Sequence, residues 1–330
     1  MAVITHLRRS ALEDVLHKYD VGMLRDYFPA SEGIENTNYI LSTTLDSTHE
    51  TSNTEYVLTV IEDDRVAQRE LMVQVLARCH EYGLPVAPVV RSRKDEAITS
   101  VLDKAVVLCP RLKGKHLVAP LREHCGAIGR FLARMHLATE TLDGTNFRYI
   151  RDSHWLDTHS SRVEKHLDSH DRYLLRRSVE SIKSTLNRTD VQALPKGIIH
   201  GDLFRDNALF NEYGLTGVVD FHHASHGFWL YDLAVAVNDW CRTRDVLDKE
   251  RAFALLREYN AIRPLHDEEY WFFPMFLLYA SVAFWLSRLS VTTQSDLHPD
   301  RPVRDPAEMA RIAQRHISRP FRLHEMAIAN

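Results

Sequence analysis

The sequence has only four cysteines in 330 residues: Cys79, Cys109, Cys125 and Cys241. They stand far apart, with no Cys-x-x-Cys pair and no Cys/His spacing of a metal site. That pattern excludes a disulfide framework and a zinc module. The thiols read as reduced cysteines of a cytosolic protein, and none looks like a nucleophile. An excess of basic charge is also missing. The chain has 41 Lys and Arg against 45 Asp and Glu, a net charge of -4 with pI near 6.5. Nucleic acid as the main partner therefore has no electrostatic support. The opening MAVITHLRRSALEDVLHKYD lacks an apolar stretch of signal-peptide length. The most apolar segment, Trp271 to Leu289, contains Pro274 and Arg288 and falls short of a membrane span. It reads as a buried core helix. Internal repeats and low-complexity tracts are absent. The expectation is a cytoplasmic protein with no membrane partner.

What is present is an ordinary globular composition, 45% hydrophobic and 26% charged, in a chain long enough for two lobes with a real core. Helical spacing marks residues 3–19, followed by a turn-rich stretch at 31–38. Strands are expected at 39–43 and 55–61, as a hairpin with a long polar connection. A helix over 65–82 closes at Gly83 and Pro85. Short extended pieces follow at 88–90, 97–101 and 105–108. From residue 120 the pattern turns helical: 122–138, 155–190, 228–242, 249–262, 267–290 and a tail at 306–328. Two short strands flank Tyr213-Gly214. The plan is α+β: a strand-rich nucleotide-binding lobe over 1–110 and a helical lobe over 111–330 that carries the catalytic loop and substrate site.

The densest signal is Ile198-Ile199-His200-Gly201-Asp202-Leu203-Phe204-Arg205-Asp206-Asn207, followed by Gly217-Val218-Val219-Asp220-Phe221. Phosphoryl transfer to a hydroxyl needs a carboxylate base, hard oxygen ligands for magnesium and a cradle for phosphates. Asp202 follows an apolar strand, where a base can face a cleft. Asn207, five residues on, can offer an amide oxygen to a metal. Asp220 ends a tight hairpin that can return it beside Asn207. His-Gly-Asp alone is short and occurs by chance, and Asp and Asn near turns are often only turn formers. The joint pattern is far more specific.

This pattern resembles the aminoglycoside phosphotransferase and choline kinase superfamily, relatives of the protein kinases. Within it the chain is similar to the bacterial homoserine kinase branch along nearly its whole length. The phrases that carry the likeness include Glu35-Asn36-Thr37-Asn38-Tyr39, Asp202-Leu203-Phe204-Arg205-Asp206-Asn207, Ala236-Val237-Asn238-Asp239-Trp240-Cys241 and Phe284-Trp285-Leu286-Ser287-Arg288-Leu289. The resemblance implies a two-lobed protein-kinase-like fold that uses ATP and Mg2+. It makes Asp202 the catalytic base and Asn207 and Asp220 the metal ligands, with His200 and Asp232 bracing the loop. The implied substrate is L-homoserine, phosphorylated on its side-chain hydroxyl in threonine synthesis.

Kinases of this fold usually carry a strand lysine for the phosphates, and Thr59 stands at that place. Arg205 is one candidate for the missing cation. Asn36, Thr37 and Asn38 are candidates for phosphate contact, against the plainer reading of an Asx-type turn. Adenine is expected against backbone near Leu108, Cys109 and Arg111. For the acceptor, Asn238, Asp239, Trp240 and Arg288 are candidate contacts. Arg288 could pair with a substrate carboxylate, with Asp239, or within an internal salt bridge. His-Gly-Asp, where the branch more often has His-Ala-Asp, and the histidines 222, 223 and 226 depart from the branch pattern. They leave open a different small hydroxyl acceptor, such as an amino alcohol or amino sugar. A non-catalytic module of the same fold is the third reading, opposed by the intact Asp202, Asn207 and Asp220 set. An oligomer is compatible with the sequence but is not expected from it.

Overall fold

The computed structural model describes residues 4–30, 36–44, 53–62, 66–293 and 304–321. The chain forms two compact units that divide between Lys113 and Gly114, three residues beyond the expected lobe boundary.

The N-terminal unit is an antiparallel sheet with two helices. Its elements are α1 (Arg9–Leu16), β1 (Met23–Pro29), β2 (Thr37–Thr44), β3 (Asn53–Val60), α2 (Val66–Glu81), β4 (Thr99–Val101) and β5 (Lys104–Pro110). The strand order is β1-β2-β3-β5-β4. β2 alternates buried and half-buried positions along its length, the period of a strand with one covered face. Its inward residues Tyr39 and Leu41 meet Leu58 and Val60 of β3, Val106 and Leu108 of β5, and Leu12 and Leu16 of α1 in one core. α2 ends where expected. Gly83 adopts a left-handed φ of 67°, and the Leu84 N–H reaches back to Cys79 O at 3.0 Å, a closure that favours glycine.

Two expectations need correction here. The first helix is shorter than 3–19, because Leu7 and Tyr19 are buried but flank α1 rather than extend it. β1 was not expected at all. Among the described residues it pairs only with β2, buries one residue of seven and ends in Pro29, so it shows no alternation to read.

The C-terminal unit holds α3 (Arg122–Ala138), α4 (Ser153–Val163), α5 (Ser169–Leu186), α6 (Thr189–Gln192), β6 (Lys196–Ile199), β7 (Ala208–Asn211), β8 (Gly214–Val218), β9 (Ser225–Phe228), α7 (Trp229–Trp240), β10 (Arg242–Thr243), β11 (Val246–Leu247), α8 (Lys249–Asn260), α9 (Asp267–Thr293) and α10 (Pro306–Ser318). The helical stretch expected over 155–190 is two helices. Asp168 breaks it by capping α5, accepting the Asp171 N–H at 2.8 Å. α9 is long and apolar enough to cross a membrane, but 78% of its most apolar window is buried inside the unit. Phe273, Phe276 and Leu277 are among its sealed side chains, each stabilising the core by about 1.5–3 kcal/mol. α3 and α8 approach so closely that a Cβ on Gly129 would sit 2.0 Å from Leu255 O.

Candidate active site

β6 supplies the entry to the loop. Ile198 and Ile199 are fully buried and pair with His226 and Ser225 of β9. The chain then turns at Gly201, whose φ is +76° and where a Cβ would meet His223 O at 3.2 Å. Both constraints favour glycine. The turn is held from α7. The wholly buried Asp232 accepts the His200 N–H on Oδ2 and the Gly201 N–H on Oδ1, each at 2.7 Å. A third donor, His136 Nε2–H on α3, reaches Asp232 Oδ2 at 3.2 Å. His136 Nδ1 then accepts from the Tyr259 hydroxyl at 2.8 Å, and its ring stacks on Trp229. Burial holds the His136 pKa below its ordinary value, although Asp232 acts the other way. The ring is therefore neutral with its proton on Nε2.

His200 bridges the loop to the hairpin β7–β8. Its Nε2–H donates to Val219 O at 3.1 Å, and Nδ1 accepts the Asp202 N–H at 3.3 Å. A neutral ring is required for this, and burial pushes the pKa down accordingly. Asn207 is fixed by the loop it closes. Its amide donates to Asp202 O at 2.7 Å and to Asp202 Oδ2 at 3.2 Å. Its backbone carbonyl accepts the Val219 N–H at 3.0 Å, one residue before Asp220. Asp220 takes a left-handed backbone, φ 65° and ψ 60°, and keeps a 38% exposed side chain with His222 Nε2 3.9 Å away.

The Asn207 Oδ1 and the Asp220 carboxylate are thus hard oxygens at one end of a hairpin. Among the described residues no group of three His, Cys, Asp or Glu could hold a metal alone. That donor set fits a divalent cation completed by phosphates and water, the usual situation for magnesium.

The other expected contacts in this unit have internal partners. Arg205 is tied to Asp239 through its backbone N–H at 2.7 Å and its Nε at 3.1 Å, and its Nη1 donates to Val118 O at 2.9 Å. Burial pushes the Asp239 carboxyl up, while Arg205 pulls it down. The structure therefore gives Arg205 a carboxylate where a phosphate was expected. Trp240 is sealed, and its indole N–H donates to Leu203 O at 3.0 Å. Asn238 donates to Leu277 O at 2.8 Å and accepts from Arg242 Nη2 at 3.0 Å. Arg288 pairs with Glu308 at 2.6 Å, not with Asp239. Asn238, Asp239, Trp240 and Arg288 thus make packing and loop-support contacts in this structure.

In the N-terminal unit, Thr37 is sealed. Its Oγ1 accepts the Ile4 and Thr5 N–H groups and donates to Glu62 at 2.7 Å. Its hydroxyl hydrogen is thus engaged by Glu62 in this structure. Burial works to raise the Glu62 carboxyl, yet hydrogen bonds from Lys104, Thr37 and Thr5 outweigh it and hold the pKa low. Asn36 Oδ1 accepts the Glu62 N–H at 3.1 Å and Asn38 Oδ1 accepts from the Thr59 hydroxyl at 2.7 Å. Their amide nitrogens have no partner among the described residues. Leu108 O accepts the Val90 N–H at 2.7 Å and Arg111 N donates to Glu55 O at 2.9 Å. Burial pushes the Cys109 thiol up to about 12, so it is inert near neutral pH. All four cysteines are free.

The structure also brings to the loop residues to which the sequence assigns no role. His136 is one. Four more form a cluster beside Gly201: Tyr149, Arg151, Tyr231 and Tyr279. Tyr149 Cε2 lies 3.5 Å from where a Gly201 Cβ would stand. Nothing local in the sequence marks these positions, since each reaches the loop only through tertiary packing.

A profile of the phosphotransferase enzyme family matches residues 27–265. The homoserine kinase of Pseudomonas aeruginosa PAO1 is 37% identical over 332 residues, covering 98% of this chain and all of that one. The homoserine kinase of Methylobacillus flagellatus is 35% identical and covers 96% of each chain. In fold, an amicoumacin kinase in complex with AMP-PNP, Ca2+ and Ami superposes with a TM-score of 0.73 at 14% identity, over 97% of both chains. A microcompartment-associated aminopropanol kinase gives 0.60 at 19% identity, over 94% of this chain and 98% of that one.

Proposed function

Because the chain belongs to the phosphotransferase enzyme family, we propose that it transfers the γ-phosphoryl group of ATP to the side-chain hydroxyl of L-homoserine. The product is O-phospho-L-homoserine. The observation that carries the substrate is end-to-end similarity to curated homoserine kinases. The loop geometry supports the reaction class.

In this reading Asp202 orients the acceptor hydroxyl and takes its proton. Asn207 holds the Asp202 carboxylate at 3.2 Å, so the base is aimed before substrate arrives. Asp232 fixes the backbone behind it through two N–H groups. Asn207 Oδ1 and Asp220 hold the divalent cation, which we take to be Mg2+. When bound, it neutralises charge on the phosphates. Phosphoryl transfer passes through a loose transition state, so positioning and charge neutralisation do most of the catalysis. Arg205 acts here as a positioning residue, through its grip on Asp239. On the nucleotide side we assign backbone and amide groups of Asn36, Thr37 and Asn38 to the phosphates, and backbone of Leu108, Cys109 and Arg111 to adenine. A cytoplasmic location fits a substrate pair of ATP and an amino acid.

The test is a panel of hydroxyl acceptors with coupled ADP detection. L-homoserine should stimulate ADP release well above background, and a flat response rejects the substrate. Asp202→Ala should lower kcat by about 10²–10⁴ while ATP–Mg2+ binding persists in calorimetry. Wild-type turnover in that variant rejects the base.

A further inference from the structure

Arg151 is 5% exposed and forms no ion pair among the described residues. Its side chain makes one hydrogen bond, Nη1 to the Tyr149 hydroxyl at 3.4 Å, and lies over the Phe284 ring at 4.4 Å. A guanidinium has five N–H donors and stays charged. Most of those donors have no acceptor among the described residues, and none of the nitrogens is sealed from solvent without a partner. A charge at this depth is rarely left unpaired.

The setting is fixed from several sides. Tyr149 donates its N–H to His226 O at 3.0 Å, which lays residues 147–149 along β9. Its hydroxyl donates to Tyr231 of α7 at 2.5 Å. The Arg151 carbonyl accepts from the Tyr279 hydroxyl of α9 at 2.5 Å. Phe284 meets Phe204 of the catalytic loop edge-on at 4.6 Å between centroids. Arg151 is thus bounded by Tyr149 against Gly201 and by Phe284 against Phe204, residues on either side of Asp202. The Asp202 charge acts on both Arg151 and Tyr149.

We propose that Arg151 is the receptor for the carboxylate of the acceptor substrate. This rests on the reading that the acceptor is an amino acid with a side-chain hydroxyl. The site places a fixed cation and an aromatic wall within one small molecule's reach of the base, so Asp202 takes the hydroxyl end and Arg151 the carboxylate end. The phosphoryl group is the weaker occupant, because the hard oxygens of Asn207 and Asp220 belong to the hairpin, while Arg151 is held by α7 and α9. Arg288, the arginine that sequence suggested for this task, already has Glu308.

The experiment compares L-homoserine with 3-amino-1-propanol, which keeps the amine and hydroxyl and lacks the carboxylate. In the wild type, kcat/KM should favour homoserine by at least about 100-fold. Arg151→Met should lower kcat/KM for homoserine about 10²–10³-fold, mainly through KM, and that for aminopropanol by threefold at most. Equal losses on both acceptors, or no loss on homoserine, overturn the proposal. Where aminopropanol turns over too slowly, its competitive inhibition constant replaces kcat/KM with the same two outcomes. Arg151→Lys keeps the charge and serves if the methionine variant does not fold. It should lose about tenfold on homoserine alone, and loss on both overturns the proposal. A wild type inactive on homoserine, yet active on another hydroxy amino acid with the same Arg151 dependence, rejects the substrate while Arg151 stands.

Discussion

Asp232→Asn tests whether the loop is held from α7 as the hydrogen bonds imply. The wild-type carboxylate accepts three buried bonds, from the His200 and Gly201 N–H groups and His136 Nε2–H. Deleting it with Asp232→Ala orphans three buried donors at about 1–3 kcal/mol each. The total of about 3–9 kcal/mol rivals a whole domain's stability of about 5–15 kcal/mol, so that variant is a poor probe. Asparagine keeps the shape but turns one acceptor oxygen into a donor. If the amide nitrogen replaces Oδ1, it faces the Gly201 N–H. If it replaces Oδ2, it faces two donors. One or two bonds to a charged acceptor are lost, at about 1.5–3 kcal/mol each. Unfolding free energy in urea should fall by about 2–5 kcal/mol, and kcat/KM by about 100-fold through the displaced base, with ATP affinity nearly unchanged. A variant with wild-type midpoint and wild-type kcat would show that the loop does not depend on Asp232.

Acid should destabilise the fold earlier than carboxylate titration alone predicts. Burial lowers the pKa of His136, His200 and His316 in the folded state. The unfolded chain then binds protons below about pH 6.5 that the native state refuses, so stability is full above that pH and falls below it. The slope is about 1.4 kcal/mol per pH unit for each histidine, up to about 4 for the three. Urea unfolding at pH 7.5, 6.5 and 5.5 measures it, and a flat profile contradicts the neutral assignment. Gly129→Ala reverses the usual sign for a helix interior. Alanine normally gains about 1 kcal/mol there, but here its Cβ would lie 2.0 Å from Leu255 O. A loss of about 1–3 kcal/mol is expected in thermal melts, and a gain rejects the close α3–α8 contact.

The catalytic loop was legible because its chemistry is local in sequence. Residues 200–207 and the hairpin to Asp220 place the proposed base and the hard oxygens by short spacing, and glycine at 201 meets a left-handed φ of +76°. Strands β2, β3 and β5 were legible from apolar runs, and α3 from its helical period. β1 and β9 were not, since a mostly exposed edge and a four-residue piece carry no period to read. The direction of the Thr37 hydroxyl was also hidden. Its partner Glu62 lies 25 residues away, and residue type alone does not say which way a threonine in a turn points.

The arginines show where sequence reasoning stops. Arg205, Arg263 and Arg288 have acids, namely Asp239, Glu269 and Glu308. Arg242 has Asp245 O, Asn238 Oδ1 and His316 Nε2 as neutral acceptors, and burial pushes its pKa down to about 10. The first three are answered by carboxylates, and Arg242 by neutral acceptors on its two Nη atoms, its Nε being sealed with no partner among the described residues. Arg151 is as deep and has one weak hydrogen bond and a ring face. In the sequence nothing separates it from the others, and Arg288 looked better placed because it interrupts an apolar helix. The criterion that distinguishes a ligand arginine is a missing partner, and partners are assigned by tertiary structure. On the proposed reading, substrate selection in this chain is written in contacts of the segment leading into α4 with α7 and α9, while reaction type is written in the loop itself.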